Sequence, residues 1–259
     1  MPAPDPADPF VWTEPFRVRA YEVGPDERAR VLTLCDYVQE AAGEHARAAG
    51  VETFALPGGD TGTWILARLR FALASRPAMR SRVRVVTWPA AHDGLRAERD
   101  FELLGDDGAV CMRGTSTWVV MNVARRRPVR LPDAISTFGP AARPRALQPP
   151  ADEPSAPATV AAEARFTVRT SDLDRVGHAN NVRFAEWALE AAERLSPGTL
   201  AGLDLAFRAE AVAGDVVVSS VGPAGTDGAL AHRLSRASDT PEGDGAANHT
   251  LALATSLWT

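Results

Sequence analysis

The 259-residue chain contains no lysine; all 28 of its basic residues are arginine. Without lysine there is no P-loop, whose phosphates need one, and no Schiff-base amine. In so alanine-rich a sequence a single arginine is the default cation and carries no signal alone. Cysteine is almost absent. Cys35 and Cys111 cannot make a disulfide framework or a thiolate zinc site. No apolar run approaches the ~18 residues of a membrane helix. The opening MPAPDPADPF lacks the basic and apolar regions of a secretory signal. Nor is there the basic excess of a nucleic-acid binder, since 28 arginines face 33 acids for a net charge of −5. His45, His92, His232 and His249 have no metal-ligand spacing and read as structural or surface residues. These absences predict a reduced, cytoplasmic protein with no metal, no cofactor, no nucleic-acid partner and no membrane anchor.

What is present is ordinary globular composition, with 45% apolar and 24% charged residues, enough for a sizeable core. Residues 1–12 are rich in Pro and Asp and read as a flexible arm. Residues 139–162 begin GPAARPRALQPPADEP and read as a Pro/Ala-rich linker. The linker leaves two domains, 13–138 and 163–259. In the first, Phe16–Tyr21 alternates as a strand does. Val31, Leu34, Cys35, Val38, Ala41, Ala42 and His45 then recur at helical spacing, with Gly50 as the stop. Strand-like runs follow at Trp64–Leu73, Arg82–Trp88, Leu95–Leu104 and Ala109–Met121, with hairpin chemistry at His92-Asp93-Gly94 and Gly105–Gly108. The second domain repeats the order: a strand at Ala164–Thr170, a helix over Asn180–Leu195, then runs at Leu203–Ala209, Asp215–Gly222, Ala229–Ser238 and Ala246–Trp258. Turns are expected at Gly225–Gly228 and Pro241–Gly245. One helix and a long antiparallel sheet, used twice, predict an α+β architecture in which each sheet wraps its own helix.

Chemistry concentrates in Asp174-Arg175-Val176-Gly177-His178-Ala179-Asn180-Asn181, where a strand gives way to a helix. The asparagines can cap that helix, whose first N–H groups have no acceptors within it. The glycine lets a substrate oxygen approach those donors, and the dipole there favours developing negative charge. A carboxylate alongside can act as base or nucleophile, so the loop has the parts for acyl transfer. On residue types alone, the same loop also reads as a set of turn and cap formers.

The pattern Asp-x-x-Gly-His-x-Asn-Asn resembles the signature of hotdog-fold thioesterases. The resemblance extends to the acyl-acyl-carrier-protein thioesterases of plants and bacteria. It is carried by Phe16–Asp26, Gln39-Glu40 with His45, Thr63–Arg68, Val85–Trp88, Gly94–Asp100 and Thr117–Asn122 in the first half. Ser171–Phe184 and Phe207–Glu210 carry it in the second. The resemblance implies two fused hotdog domains and a thiolester hydrolase that releases fatty acids from acyl carrier protein in fatty acid biosynthesis. It implies Asp174, His178 and Glu210 as catalytic residues, with Glu210 on the following strand. Gly177, Asn180 and Asn181 would polarise the carbonyl at the helix N-terminus, with no cofactor. Two positions depart from the family. Val176 stands where an Asn helps to position the carbonyl, and Ala211 stands where plant members have a Cys. Alternatives are a thioesterase for coenzyme A thioesters, and an acyl-binding double hotdog that does not hydrolyse.

Two further features have two readings each. Arg125, Arg126, Arg127 and Arg130 are either a solvated loop or a dock for an acidic carrier protein. Cys35, Val38 and Ala42 are core residues of an amphipathic helix or, by the resemblance, lining of an acyl tunnel. Either a monomer with an internal pseudo-dimer or a homodimer is compatible with two hotdogs per chain.

Overall fold

A computed structural model describes residues 3–5, 8–136, 139–148, 152–195, 198–225, 228–237 and 250–259. The chain divides into two compact units, Met1–Pro149 and Pro150–Thr259.

In the first unit β1 (Ala3–Asp5) and β2 (Asp8–Arg17) precede the long helix α1 (Val31–Ala48). Then come β3 (Thr53–Ala55), β4 (Thr61–Leu73), β5 (Arg82–His92), β6 (Arg96–Gly105), β7 (Val110–Asn122) and β8 (Arg127–Val129). A single turn, α2 (Asp133–Ser136), closes the series. The strands run antiparallel in the order β1-β2-β5-β6-β7-β4, with β3 on β4 and β8 on β7. Alternation aims Val83, Val85, Phe101, Leu103 and Met112 inward, and α1 lays Leu34, Cys35, Val38 and Ala41 on β2, β5 and β6. The two long hairpins close as the sequence predicts. Asp93 Oδ1 accepts the N–H groups of Leu95 and Arg96 beside Gly94, whose φ is +86°. Asp107 Oδ1 accepts that of Ala109 beside Gly108, at φ +81°.

The second unit contains β9 (Ala162–Thr167), α3 (Asn181–Glu193), β10 (Leu200–Phe207), β11 (Val216–Pro223), β12 (Ala229–Arg236) and β13 (Thr250–Trp258). Its strands lie antiparallel in the order β10-β13-β12-β11-β9, and α3 packs on β9, β11 and β12. Ala185, Ala188, Ala191 and Ala192 are fully buried on α3 and let the helix lie close to the sheet. Each unit is thus a hotdog: a long antiparallel sheet around one helix.

Three boundaries differ from expectation. Residues 8–12 belong to β2, and Val11 and Trp12 are buried, so this stretch is no loose arm. The strand read at Phe16–Tyr21 stops at Arg17, because Ala20–Glu22 forms a 3-10 turn. In the Pro/Ala-rich stretch 139–162, the described residues before Ala162, where β9 begins, are irregular yet anchored on both units. Arg145 and the Ala146 N–H hold the buried Asp100 carboxylate in the first unit, at 2.9 and 2.7 Å. The Ala161 N–H donates to Val221 in the second. The turn expected at Pro241–Gly245 and the first residues of the run Ala246–Trp258 lie outside the described residues, as does part of the turn at Gly225–Gly228. Among the described residues no helix is long and apolar enough to cross a membrane.

Candidate active site

The predicted loop leaves β9, makes a 3-10 turn over Thr170–Asp172, and reaches α3 at its cap, Asn180. Asn180 Oδ1 accepts the N–H of Val182 at 3.0 Å, and its carbonyl accepts that of Arg183 at 2.8 Å. Asp174 closes the turn. Its Oδ1 accepts the N–H groups of Val176 and His178 at 2.9 and 3.2 Å, and Gly177, at φ +85°, supplies the left-handed residue the turn needs. Below the loop, the Ala179 N–H donates to Ala211 C=O at 2.8 Å.

That last bond ties the loop to the segment after β10, where Glu210 sits. Glu210 is not on the strand, as the sequence reading had it. β10 ends at Phe207, and the N–H groups of Arg208 and Ala209 then share one acceptor, Leu251 C=O, at 2.8 and 3.1 Å. This swings the following residues out of the ladder toward the α3 N-terminus. Arg236 fixes them there, donating from Nη2 to Glu210 C=O at 2.8 Å and from Nε to Asp215 at 2.9 Å. Phe184 in the first turn of α3 packs edge-on against Phe207, 5.5 Å between centroids.

The result is a contact between His178 Nε2 and Glu210 Oε2 at 3.2 Å. The two side chains are 32% and 37% exposed, so water and a ligand can reach both. An imidazole bonded to a carboxylate at a helix N-terminus can hold and return a proton.

Other predicted site residues behave differently. The N–H groups of Gly177 and His178, expected to face a substrate carbonyl, are spent inside the loop, on Asp174 C=O at 3.1 Å and Asp174 Oδ1. The tight turn that Gly177 permits is what consumes them. At this end of the helix the cap employs only Oδ1 of Asn180 and leaves its side-chain amide to serve as a donor. Val176 is 60% exposed and offers no polar group, while Ala211 is fully buried and serves through its carbonyl. Cys35, Val38 and Ala42 are buried on α1, and burial pushes the Cys35 thiol up to about 12, which keeps it protonated. Arg125 Nε lies 3.0 Å from Asp60, Arg126 has φ +51°, Arg127 starts β8, and Arg130 is exposed.

Sequence reasoning missed two groups. Asp172, 2% exposed, accepts from Arg169 backbone N–H, Nε and Nη2 at 2.8, 3.1 and 2.9 Å, with Arg183 Nε at 3.8 Å. The Arg169 bonds hold its carboxyl below the usual range, and its own carbonyl accepts the Asn180 N–H. Asp172 therefore fixes where the loop begins and ends. In the first unit the buried Arg99 contacts His45 Nδ1 at 3.0 Å and Thr87 at 3.3 Å, while Trp12 stacks on His45. Burial lowers His45 to about 3 and Arg99 to about 10. In a lysine-free chain nothing marked Arg99 as unusual.

Fold and loop together define a double-hotdog protein with one His–Glu contact at a helix N-terminus. The chain matches the acyl-ACP thioesterase N-terminal domain over residues 9–138 and the acyl-ACP thioesterase C-terminal domain over residues 155–258. It belongs to the acyl-ACP thioesterase family. It is 31% identical over 235 residues to oleoyl-acyl carrier protein thioesterase 1, chloroplastic, of Arabidopsis thaliana, covering 82% of this chain and 64% of that one. It is 30% identical over 223 residues to a chloroplastic palmitoyl-acyl carrier protein thioesterase of Cuphea hookeriana, covering 78% and 52%. The chain thus spans between half and two thirds of the length of these curated relatives. Among solved structures, an acyl-ACP thioesterase from Bacteroides thetaiotaomicron superposes with TM-score 0.80 at 21% identity, covering 95% of this chain and 97% of that one. The 12:0-ACP thioesterase from Umbellularia californica gives 0.78 at 23%, covering 96% and 97%. These superpositions bear on the fold.

Proposed function

We propose that the chain hydrolyses fatty acyl thioesters of acyl carrier protein, releasing the fatty acid and the free carrier thiol. The observation that carries this reading is the His178–Glu210 contact at the α3 N-terminus. Glu210 takes a proton from a water, which attacks the thioester carbon. His178 orients the carboxylate and shares the proton. The tetrahedral intermediate collapses, the C–S bond breaks, and the leaving sulfur takes the proton back through the same pair. The Asn180 side-chain amide, with Asn181 at the first helical position, polarises the carbonyl. Asp174 acts by shaping the loop. Cys35, Val38 and Ala42 line the side of α1 against which an acyl chain would lie. Two buried cysteines with free thiols fit a reducing compartment, the cytoplasm.

The test is thiol release from matched acyl carrier protein and coenzyme A substrates of several chain lengths. Carrier substrates should be preferred by kcat/KM, and Glu210→Gln should abolish most release. Coenzyme A thioesters turned over equally well would shift the substrate class. A second reading, acyl binding without hydrolysis, is favoured by Val176 and by the internally spent Gly177 and His178 donors. One positioned donor is worth about 2.7–4 kcal/mol in the transition state. Tight acyl-carrier binding with no thiol release from the parent chain would establish that reading.

A further inference from the structure

The two units carry the same loop, 150 positions apart. Gly24 N–H donates to Arg28 C=O at 2.9 Å, as Asp174 N–H does to His178 C=O at 2.7 Å. Glu27 N–H donates to Gly24 C=O at 3.0 Å, as Gly177 N–H does to Asp174 C=O at 3.1 Å. Arg30 N–H meets Glu22 C=O, as Asn180 N–H meets Asp172 C=O, both at 2.9 Å. Ala29 N–H reaches Pro77 C=O as Ala179 N–H reaches Ala211 C=O, both at 2.8 Å. Each loop opens on a carboxylate that accepts the N–H of an arginine three residues earlier, Glu22 with Arg19 and Asp172 with Arg169. Even the left-handed residue recurs, as Glu27 at φ +58° and Gly177 at φ +85°.

The frame repeats and the chemistry does not. His178 corresponds to Arg28, and Glu210, just before Ala211, to Arg76, just before Pro77. Asn180 corresponds to Arg30. An imidazole and a carboxylate are thus replaced by two guanidiniums, and the carboxylate between them, Asp26, is taken up by the Arg28 N–H and the Arg76 side chain. Backbone carbonyls hold the cations in place: Arg28 Nη1 donates to Arg76 C=O at 3.0 Å, and Arg30 Nη1 to Tyr21 C=O at 2.9 Å. Arg17 Nε donates to Arg80 C=O at 3.4 Å, and Arg76 pairs with Asp26. Each guanidinium has five donors, so one such anchor leaves others facing outward. Residues 17–30 and 76–80 hold six arginines against three acids, a net +3, whereas 167–180 and 210–214 hold two against three, a net −1. Arg17, Arg19, Arg28, Arg30 and Arg80 are exposed, and Tyr21 among them is 72% exposed.

We propose that this loop of the first unit, Arg17–Arg30 with Arg76–Arg80, is the docking surface for the acidic carrier protein. The proposal rests on the reading that the substrate is carrier-bound. Arginines around an exposed tyrosine are the side chains that anchor protein interfaces, and the positive field complements an acidic partner. The three interspersed carboxylates suit a folded protein face better than a lone phosphate. The net −5 of the chain sets this surface apart from a general polyanion binder.

The experiment measures the affinity of the full chain for the unacylated holo carrier by calorimetry, which needs no hydrolysis, beside thiol release from an acyl-N-acetylcysteamine. Arg28→Glu with Arg30→Glu should weaken carrier binding about tenfold or more and flatten its salt dependence, leaving release from the small thioester within about twofold. Glu27→Gly removes one acid, installs the residue its counterpart uses, and should tighten binding about two- to threefold. It also serves should the double reversal fail to fold. Arg126→Glu with Arg127→Glu is the comparator. Carrier affinity within about twofold of the parent for the first variant, no gain for Glu27→Gly, or loss confined to the comparator overturns the proposal. A parent that binds carrier through this loop but releases no thiol leaves the surface standing and overturns the hydrolase reading. One that cleaves the small thioester but binds no carrier does the reverse.

Discussion

At the scale of single residues, the proposed mechanism depends on one ionisable contact, and the loop on the carboxylate that holds its frame. Glu210→Gln keeps the size and a hydrogen bond to His178 but removes the base. It should lower kcat about 10²–10⁴-fold in a thiol-release assay, with melting temperature nearly unchanged. Asp172 acts at one remove. Asp172→Ala removes the buried carboxylate that accepts the part-buried Arg169 N–H, and the loss should cost about 1–3 kcal/mol, read as a lower denaturant midpoint. Because its carboxyl is held below the ordinary range, the stability Asp172 supplies is present above the unfolded-state carboxyl pKa. It disappears as pH falls through the folded one. The same midpoint measured at neutral and strongly acidic pH should show parent and variant converging in acid.

At the scale of elements, β7 has a tolerance limit at Gly114. A Cβ there would run into Arg70 C=O on β4 and the ring of the buried Phe101 on β6. Gly114→Ala should destabilise the protein by about 1–3 kcal/mol by thermal melting, through overpacking and not through lost chemistry. Most of the sheet was legible in the sequence, because period-2 alternation and Asp-Gly hairpin turns act locally. β2 was less so. Prolines at 9 and 15 argue against a strand, but β1 pairs only up to Thr13, so Pro15 lies where β2 is an edge and proline is tolerated. The candidate loop was legible as a pattern, since Asp174, Gly177 and Asn180 are turn and cap formers. That Glu210 leaves its strand was not. The bend depends on Arg208 and Ala209 sharing Leu251 C=O, a long-range bond with no local signature. The repeat of the loop was equally hidden, because backbone bonds, and not side chains, carry it.

At the scale of the whole molecule, each unit buries one histidine in its core among the described residues. His45, on the buried face of α1, lies against Arg99, and His232 on β12 bonds Ser256 at 2.7 Å. Desolvation lowers His45 to about 3, with Arg99 adding to the effect, and lowers His232 to about 4. Both are neutral when folded and take up a proton on unfolding below the ordinary histidine pKa of about 6.5. Their contribution is therefore complete above about pH 6.5. Each loses about 1.4 kcal/mol per pH unit as the pH falls toward its folded value. Urea melts between pH 7 and 5 should show stability falling with acid, and His232→Gln should reduce the slope by about one proton. A slope unchanged in that variant would mean His232 does not stay neutral in the fold.

The repeated loop sets a stoichiometry. Fusion of two like domains could give a chain two reactive centres, each firing on its own. Here the first unit's copy of the frame carries Arg28 and Arg76 where the second carries the proposed proton-handling pair, His178 and Glu210, and no change of pH within the physiological range converts a guanidinium into a base. A thioester analogue that forms a stable adduct at the reactive centre should saturate at one equivalent per 27.6 kDa chain. Plots of bound analogue against remaining turnover should be straight to that single end point, whatever the number of chains in the particle.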